Sequence, residues 1–453
     1  MAGKPSFLTG MLSAIFERGR ALARRGPRPE AGKVKALAPP HVVDLPGLCL
    51  RLVAGQGEAS SIAMATVILA QWSALGEQGQ LDFLLALATG FGPDPARLDK
   101  AIEAYRATPG PETAMTLHYA AEPPRQEVLR RLNLAPLGTL TLVRMRETAL
   151  RRLASHPELK VLDADFVHLF SSWFNRGFLV LRRIDWASPA NILEKIIRYE
   201  AVHEISGWAD LRRRVEPADR RCFAFFHPAL VDEPLIFVEV ALAEDIPSNI
   251  AGLLAEERDP VSAGQARAAV FYSISNCQAG LRGVSFGDFL IKQVVDELRR
   301  ELPELSTFVT LSPAPGFAAW LAKELSGEGG LLSAEDREAL NAAQNDGWLD
   351  GADKAEALRP RLMRAAAIYY LKAKTAAGKP LDPVARFHLG NGASLRQIDF
   401  MADASARAMR EAHGLMVNYQ YKLDEIEANH ERLAREGHVA ASAEVRALLS
   451  DKG

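Results

Sequence analysis

The hydrophobic period of this chain changes once, and that change limits what it can fold into more than any other feature. From about residue 56 to 185, apolar residues recur at three- and four-residue spacing in segments at 57–77, 80–90, 94–107, 111–121, 124–133, 138–155 and 161–178, the signature of successive amphipathic helices. In "DPARLDKAIEAYRA", Leu98, Ile102 and Tyr105 fall on one helical face, Asp94 is placed to cap the first turn and Pro95 occupies the first helical position. Around "DWASPANILEKI" the character changes. Short apolar runs rich in β-branched and aromatic residues follow, "CFAFFH" (222–227), "PLIFVEVAL" (234–242), "ARAAVFYSIS" (266–275) and "LSTFVTLS" (305–312), and read as strands. The last two flank a helix predicted over 284–300, giving a strand–turn–helix–strand unit of the kind that builds a mixed or parallel sheet. Helices are predicted at 333–345, 356–373, 403–412, 422–435 and 440–449, with one more strand at 414–421. The expected architecture is a segment 1–40, an all-helical bundle over 41–188, and a mixed α+β or α/β domain over 189–453.

Bulk properties remove several classes of function. The formal net charge is −2, with charged residues of both signs making up 24% of the chain, so no surface suited to a polyanion such as nucleic acid is expected. The most apolar stretch, "IAMATVILAQWSAL", is broken by Gln71 and is shorter than the ~20 residues a membrane helix needs. Cys49, Cys222 and Cys277 are too scattered for a disulfide framework or a zinc site, which points to a reducing, cytoplasmic setting. Before Pro27 the chain carries Arg18, Arg20, Arg24 and Arg25 against a single acid, Glu17. Such a start reads as a solvated basic helix and leaves a mitochondrial leader open.

Three local motifs bear on chemistry. Gly280, Gly283 and Gly287 cluster where a strand gives way to a helix whose Phe286, Leu290, Val294 and Leu298 recur every four residues, with Ile291 and Val295 beside them. Unpaired N–H groups at a helix start, approached across glycines, suit a pyrophosphate, although a plain tight turn gives the same pattern. The spacing fits neither the Walker loop nor the dinucleotide fingerprint. In "TLSPAPGF", Ser312 precedes Pro313 and Pro315, so its hydroxyl sits on a stiff corner; an N-cap with Pro313 opening a helix is the plainer alternative. In "RFHLGNGASL", His388 precedes Gly390 and Gly392 in a segment read as neither helix nor strand. A loop imidazole with a pKa near ~6.5 can exchange a proton at neutral pH.

"GLRGVSFGDFL" resembles the pyrophosphate loop of GNAT acyltransferases, with Gly280 where that family usually has Gln or Arg. Taken together, "FYSIS", "GLRGVSFGDFLIK", "LSPAPGF", "RFHLGNGA" and "GLMVNYQY" follow the order and approximate spacing found in malonyl-CoA decarboxylases. The resemblance covers most of 190–430, and the helical half agrees with the helical domain of those enzymes. It implies a GNAT-like catalytic domain, conversion of malonyl-CoA to acetyl-CoA and CO2 without metal or organic cofactor, and a homo-oligomer such as a tetramer formed through the helical domain. Ser312 and His388 become the catalytic pair, and the CoA phosphates fall on Arg282, Gly283, Val284, Ser285, Phe286, Gly287 and Asp288. Some relatives have an acid where this chain has Ser285. His413, Asn418 and Tyr419 are further candidates for shaping the pocket, and Cys277 is expected as a small buried residue. The rival readings are a CoA-dependent acyltransferase and a CoA-sensing interaction protein without catalysis.

Overall fold

The computed structural model describes residues 44–55, 57–284, 290–345 and 352–450. The basic segment 1–40 lies outside them. Backbone packing divides the chain into two units, one ending at Leu169 and the other beginning at Phe170; Ser188 falls inside the second, after its first strand.

The first unit is helical: α1 (Leu45–Ala54), α2 (Glu58–Ala74), α3 (Glu77–Gly90), α4 (Pro95–Ala107), α5 (Pro111–Ala121), α6 (Pro124–Asn133), α7 (Gly138–Arg152) and α8 (Lys160–Trp173), with the division falling within α8. Starts follow the local chemistry. Asp44 accepts from Gly47 N at 2.8 Å and Asp94 from Arg97 N at 2.9 Å, and prolines occupy the first turns of α1, α4, α5 and α6, where a missing N–H costs nothing. Ile68, Leu84, Leu129, Leu132 and Met145 are fully buried. On α4 the expected face is the inner one, with Ala101 buried and Leu98 and Ile102 half-buried, but its end at Tyr105 is exposed.

The second unit is built on an eight-stranded sheet in the order β1-β2-β3-β4-β5-β8-β6, with β7 also paired to β8. Its elements are β1 (Val180–Ile184), α9 (Ala190–Tyr199), α10 (Trp208–Val215), β2 (Arg220–Phe226), β3 (Pro234–Ala243), α11 (Ile250–Leu254), β4 (Ala268–Asn276), α12 (Leu290–Glu301), β5 (Thr307–Thr310), β6 (Ser312–Pro313), α13 (Phe317–Leu325), α14 (Ala334–Asn345), α15 (Ala352–Lys372), α16 (Pro383–Gly390), β7 (Ser394–Asp399), α17 (Ala406–Ala412), β8 (Met416–Gln420), α18 (Ile426–Glu436) and α19 (Ala443–Ala447). β1 to β4 form an antiparallel meander. β4 and β5 are parallel, joined through α12, as the strand–turn–helix–strand pattern predicts. β2 and β3 are buried along almost their whole length, which explains their continuous apolar runs.

Two features of β4 position the site. It carries one extra residue, Tyr272, opposite the Glu239–Val240 step of β3. Its register with β5 ends at Phe271↔Thr310, so from Tyr272 onward β4 leaves its parallel partner. The chain of β5 turns instead toward β8, where Ser312 pairs with Val417 and Pro313 with Met416.

Candidate active site

Ser312 stands where β5 gives way to the proline corner. It does not cap a helix: α13 begins at Phe317 with Gly316 before it. Its Oγ donates to Thr310 Oγ1 at 2.9 Å and lies 3.2 Å from Nε2 of His388. Both side chains are buried, at 5% and 3% exposure.

His388 is on a helix, which corrects the loop reading of its segment. Asp382 caps α16, accepting from Val384 N and Ala385 N at 2.8 Å each, and Pro383 opens it. Eight residues are too few to display a helical period, which is why the sequence pattern missed it. The "GNG" that follows has its own reason. Gly392 lies at φ +83°, and a Cβ there would come 2.2 Å from the carbonyl oxygen of Ile426, so only glycine fits.

Around the imidazole the contacts are specific. Nδ1 lies 2.9 Å from the Tyr421 hydroxyl, the Tyr419 ring stacks on it with centroids 4.7 Å apart, and the Phe387 ring meets it edge-on at 5.1 Å. Thr310 Oγ1 also accepts from Tyr419 N at 3.2 Å. With the Ser312 proton directed to Thr310, Nε2–H donates to Ser312 Oγ and Nδ1 accepts from Tyr421, so one tautomer satisfies every partner. Burial pushes the His388 pKa down to about 3, because the cation would lose its hydration. The imidazole is neutral at physiological pH, unlike the freely titrating loop histidine expected.

Asp382 joins the two halves of the pair. Its Oδ2 accepts the Tyr369 hydroxyl at 3.1 Å, and the backbone of Gly316 in the proline corner packs against both groups. A Cβ on Gly316 would meet the Tyr369 hydroxyl at 2.4 Å. One carboxylate, 1% exposed, thus ties the segment after Ser312 to the helix that carries His388.

On the far side of Phe387 from His388 lies a cavity of about 560 Å³ whose walls include Asn276, Gln278, Gly283, Val284, Phe387 and Asn391, a size that admits a ligand. Arg282 and Cys277 line it too. Gly283 is at φ +78° with open space where a side chain would be. Ser312 and His388 are not among these walls; Phe387 and Asn391, close to His388 in sequence, are. Ser285, Phe286, Gly287 and Asp288 lie outside the described residues. Of the further candidates, only Tyr419 touches the pair. Asn418, next to it on β8, faces the other side of the sheet, where it bonds Asp399 and the Pro247 carbonyl, and His413 ends α17 in a left-handed conformation against Phe317. Thr310, Tyr421, Asp382, Gln278 and Phe387 were not singled out from the sequence; only the Asp-Pro start of α16 signalled one of them.

Among the described residues there is no group of three or more His, Cys, Asp or Glu placed to hold a metal ion, and no helix long and apolar enough to cross a membrane.

Fold and site together define a class: a helical domain followed by a mixed-sheet domain that buries a serine–histidine pair. A family model described as the malonyl-CoA decarboxylase C-terminal domain matches residues 177–453, and one described as the malonyl-CoA decarboxylase N-terminal domain matches residues 91–174. The chain belongs to the malonyl-CoA decarboxylase family. Mitochondrial malonyl-CoA decarboxylase of Mus musculus is 34% identical over 418 residues, covering 84% of each chain; that of Anser anser anser is 36% identical over 359 residues, covering 74% of this chain and 71% of the other. Crystal structures of malonyl-CoA decarboxylase from Rhodopseudomonas palustris and Agrobacterium vitis superpose with a TM-score of 0.85 each. The first is 58% identical and covers 89% of this chain and 98% of its own. The second is 57% identical and covers 90% and 100%.

Proposed function

We propose that the protein decarboxylates malonyl-CoA to acetyl-CoA and CO2, with Ser312 and His388 as the groups that meet the acyl end of the substrate. The observation that carries this reading is the buried contact of 3.2 Å between their side chains, with a cavity walled by the glycine turn on the far side of Phe387. In this reaction the bond between the α-carbon and the carboxylate breaks. Its electron pair passes into the thioester as an enolate, and a proton must then reach the α-carbon. The thioester accepts the charge itself, so the protein's part is to orient the carboxylate, stabilise the oxyanion and deliver the proton.

Ser312, positioned by the β6–β8 pairing, turns its hydroxyl proton from Thr310 to the arriving malonyl oxygen; one well-aimed donor to an oxyanion is worth ~3–4 kcal/mol. His388 is the proton carrier. Its neutral resting form avoids a buried cation facing no partner, and the arriving malonyl carboxylate supplies the negative charge that favours protonation. The diphosphate of CoA is assigned to the turn beginning at Arg282, Gly283 and Val284 and continuing through Asp288. We extend the reading to a homo-oligomer formed through the helical unit, where Met115 and Tyr119 of α5 are more than half exposed.

Incubating the purified protein with malonyl-CoA alone tests the proposal. Acetyl-CoA and CO2 in equal amounts are expected. Turnover only when an acyl acceptor is added would mark an acyltransferase, and binding without CO2 release would mark a CoA sensor.

A further inference from the structure

Sharing no lining residue with the cavity described above, α10, the start of β2 and α11 border a second one of about 220 Å³. Four arginines line it: Arg213, Arg214, Arg220 and Arg258. Three of them have acids. Arg213 pairs with Asp210 at 3.3 Å and Glu256 at 2.8 Å, Arg214 with Asp210 at 3.2 Å while also donating to Glu239 at 3.4 Å, and Arg258 with Asp219. Arg220 has none. It is 3% exposed, and its guanidinium reaches only the Leu253 carbonyl and the face of the Tyr272 ring, 5.7 Å away. Among the described residues no carboxylate lies within ion-pair distance of it.

A guanidinium has five donors in a fork that suits carboxylate and phosphate oxygens. Burying one without an acid is unfavourable unless something supplies the missing acceptors. Asp210 and Glu256 share the cavity wall, but both are already engaged by Arg213 and Arg214. Pro217, Leu253, Leu254, Ala255 and Pro260 complete the lining and lower the local dielectric, which strengthens any charge contact made there. The space is smaller than the ~300–1,000 Å³ of ordinary ligand pockets, so a nucleotide is too large for it.

We propose that this cavity is a binding site for a small dianion with oxygen acceptors, a phosphate or a short dicarboxylate, held by Arg220 with Arg213, Arg214 and Arg258 around it. The site is separate from the cavity bordered by Phe387 and stands whether or not the pair of Ser312 and His388 is catalytic. Burial, together with the neighbouring Arg258, pushes the Arg220 pKa down although Asp219 and Glu239 act against it.

The test is calorimetric titration of the full chain with inorganic phosphate and, separately, with malonate, at constant ionic strength and in saturating CoA to fill the substrate site. Saturable binding by at least one is expected. Arg220→Met weakens it about tenfold or more, and Arg213→Gln, at the more exposed rim where folding is tolerant, weakens it severalfold. Which probe binds more tightly distinguishes the two sources of the dianion. Absence of saturable binding by both probes at about 10 mM, or binding unchanged in both variants, overturns the proposal; so does binding that appears only when CoA is omitted.

Discussion

The Tyr421 hydroxyl lies 2.9 Å from Nδ1 of His388, on the side of the ring opposite the nitrogen that meets Ser312. Tyr421 therefore decides which nitrogen carries the proton. Tyr421→Phe removes that control and leaves a buried nitrogen unpaired, a loss of about 1–3 kcal/mol. Expressed in the transition state, this lowers kcat about tenfold or more while the KM for malonyl-CoA stays nearly constant. Steady-state kinetics of the variant, with circular dichroism to verify its fold, checks this.

Asp382 makes the second such control, because it caps the helix of His388 and holds the Tyr369 hydroxyl against Gly316 of the serine corner. Asp382→Asn keeps one acceptor for the cap but turns the other oxygen into a donor facing the Tyr369 hydroxyl. We expect kcat to fall about tenfold, with a smaller effect for Tyr369→Phe, which leaves both backbone contacts intact. Equal effects of the two variants would remove Asp382 from this positioning role.

The neutral state of His388 has a measurable thermodynamic signature. Its folded pKa of about 3 lies below the ordinary value of 6.5. Below pH 6.5 the unfolded chain takes up a proton that the folded chain refuses, so its contribution is present above that pH and is lost as pH falls toward 3. The slope is about 1.4 kcal/mol per pH unit. His388→Asn should flatten the acid side of the stability curve by that amount, read from urea unfolding at a series of pH values.

Glu239 gives the opposite sign. Burial, and then the neighbouring Glu200, push its pKa up to about 8 from 4.5. The folded protein holds a proton that the unfolded chain has released, so this contribution is full below pH 4.5 and is lost as pH rises through 8. Glu239→Gln keeps the neutral shape and should leave stability less dependent on pH over that window, again by about 1.4 kcal/mol per unit.

Much of the fold was legible because its signals are local. Helices α2 to α8 and strands β2, β3, β4 and β8 fall where apolar spacing places them, while α1, ahead of the periodic segments, was missed. β1 was hidden by Arg182 and Arg183, the exposed charges of an edge strand, and α16 by its brevity. Ser312 and His388 were legible only through motif order, since nothing local tells that a hydroxyl and an imidazole far apart in sequence will meet. Tyr421 and Thr310 were not legible at all: their importance comes from the pairing of β5 and β8, a long-range event. The titration of His388 was misjudged for the same reason, because burial is set by neighbours that the segment itself does not contain.

The most direct measurement is release of acetyl-CoA and CO2 from malonyl-CoA by the intact protein, by Ser312→Ala and by His388→Asn, each variant first shown to be folded and to bind CoA normally. The wild-type protein should turn over, and each variant should lose about a hundredfold or more in kcat. Near-normal turnover by either folded variant would contradict a reaction carried by these two side chains.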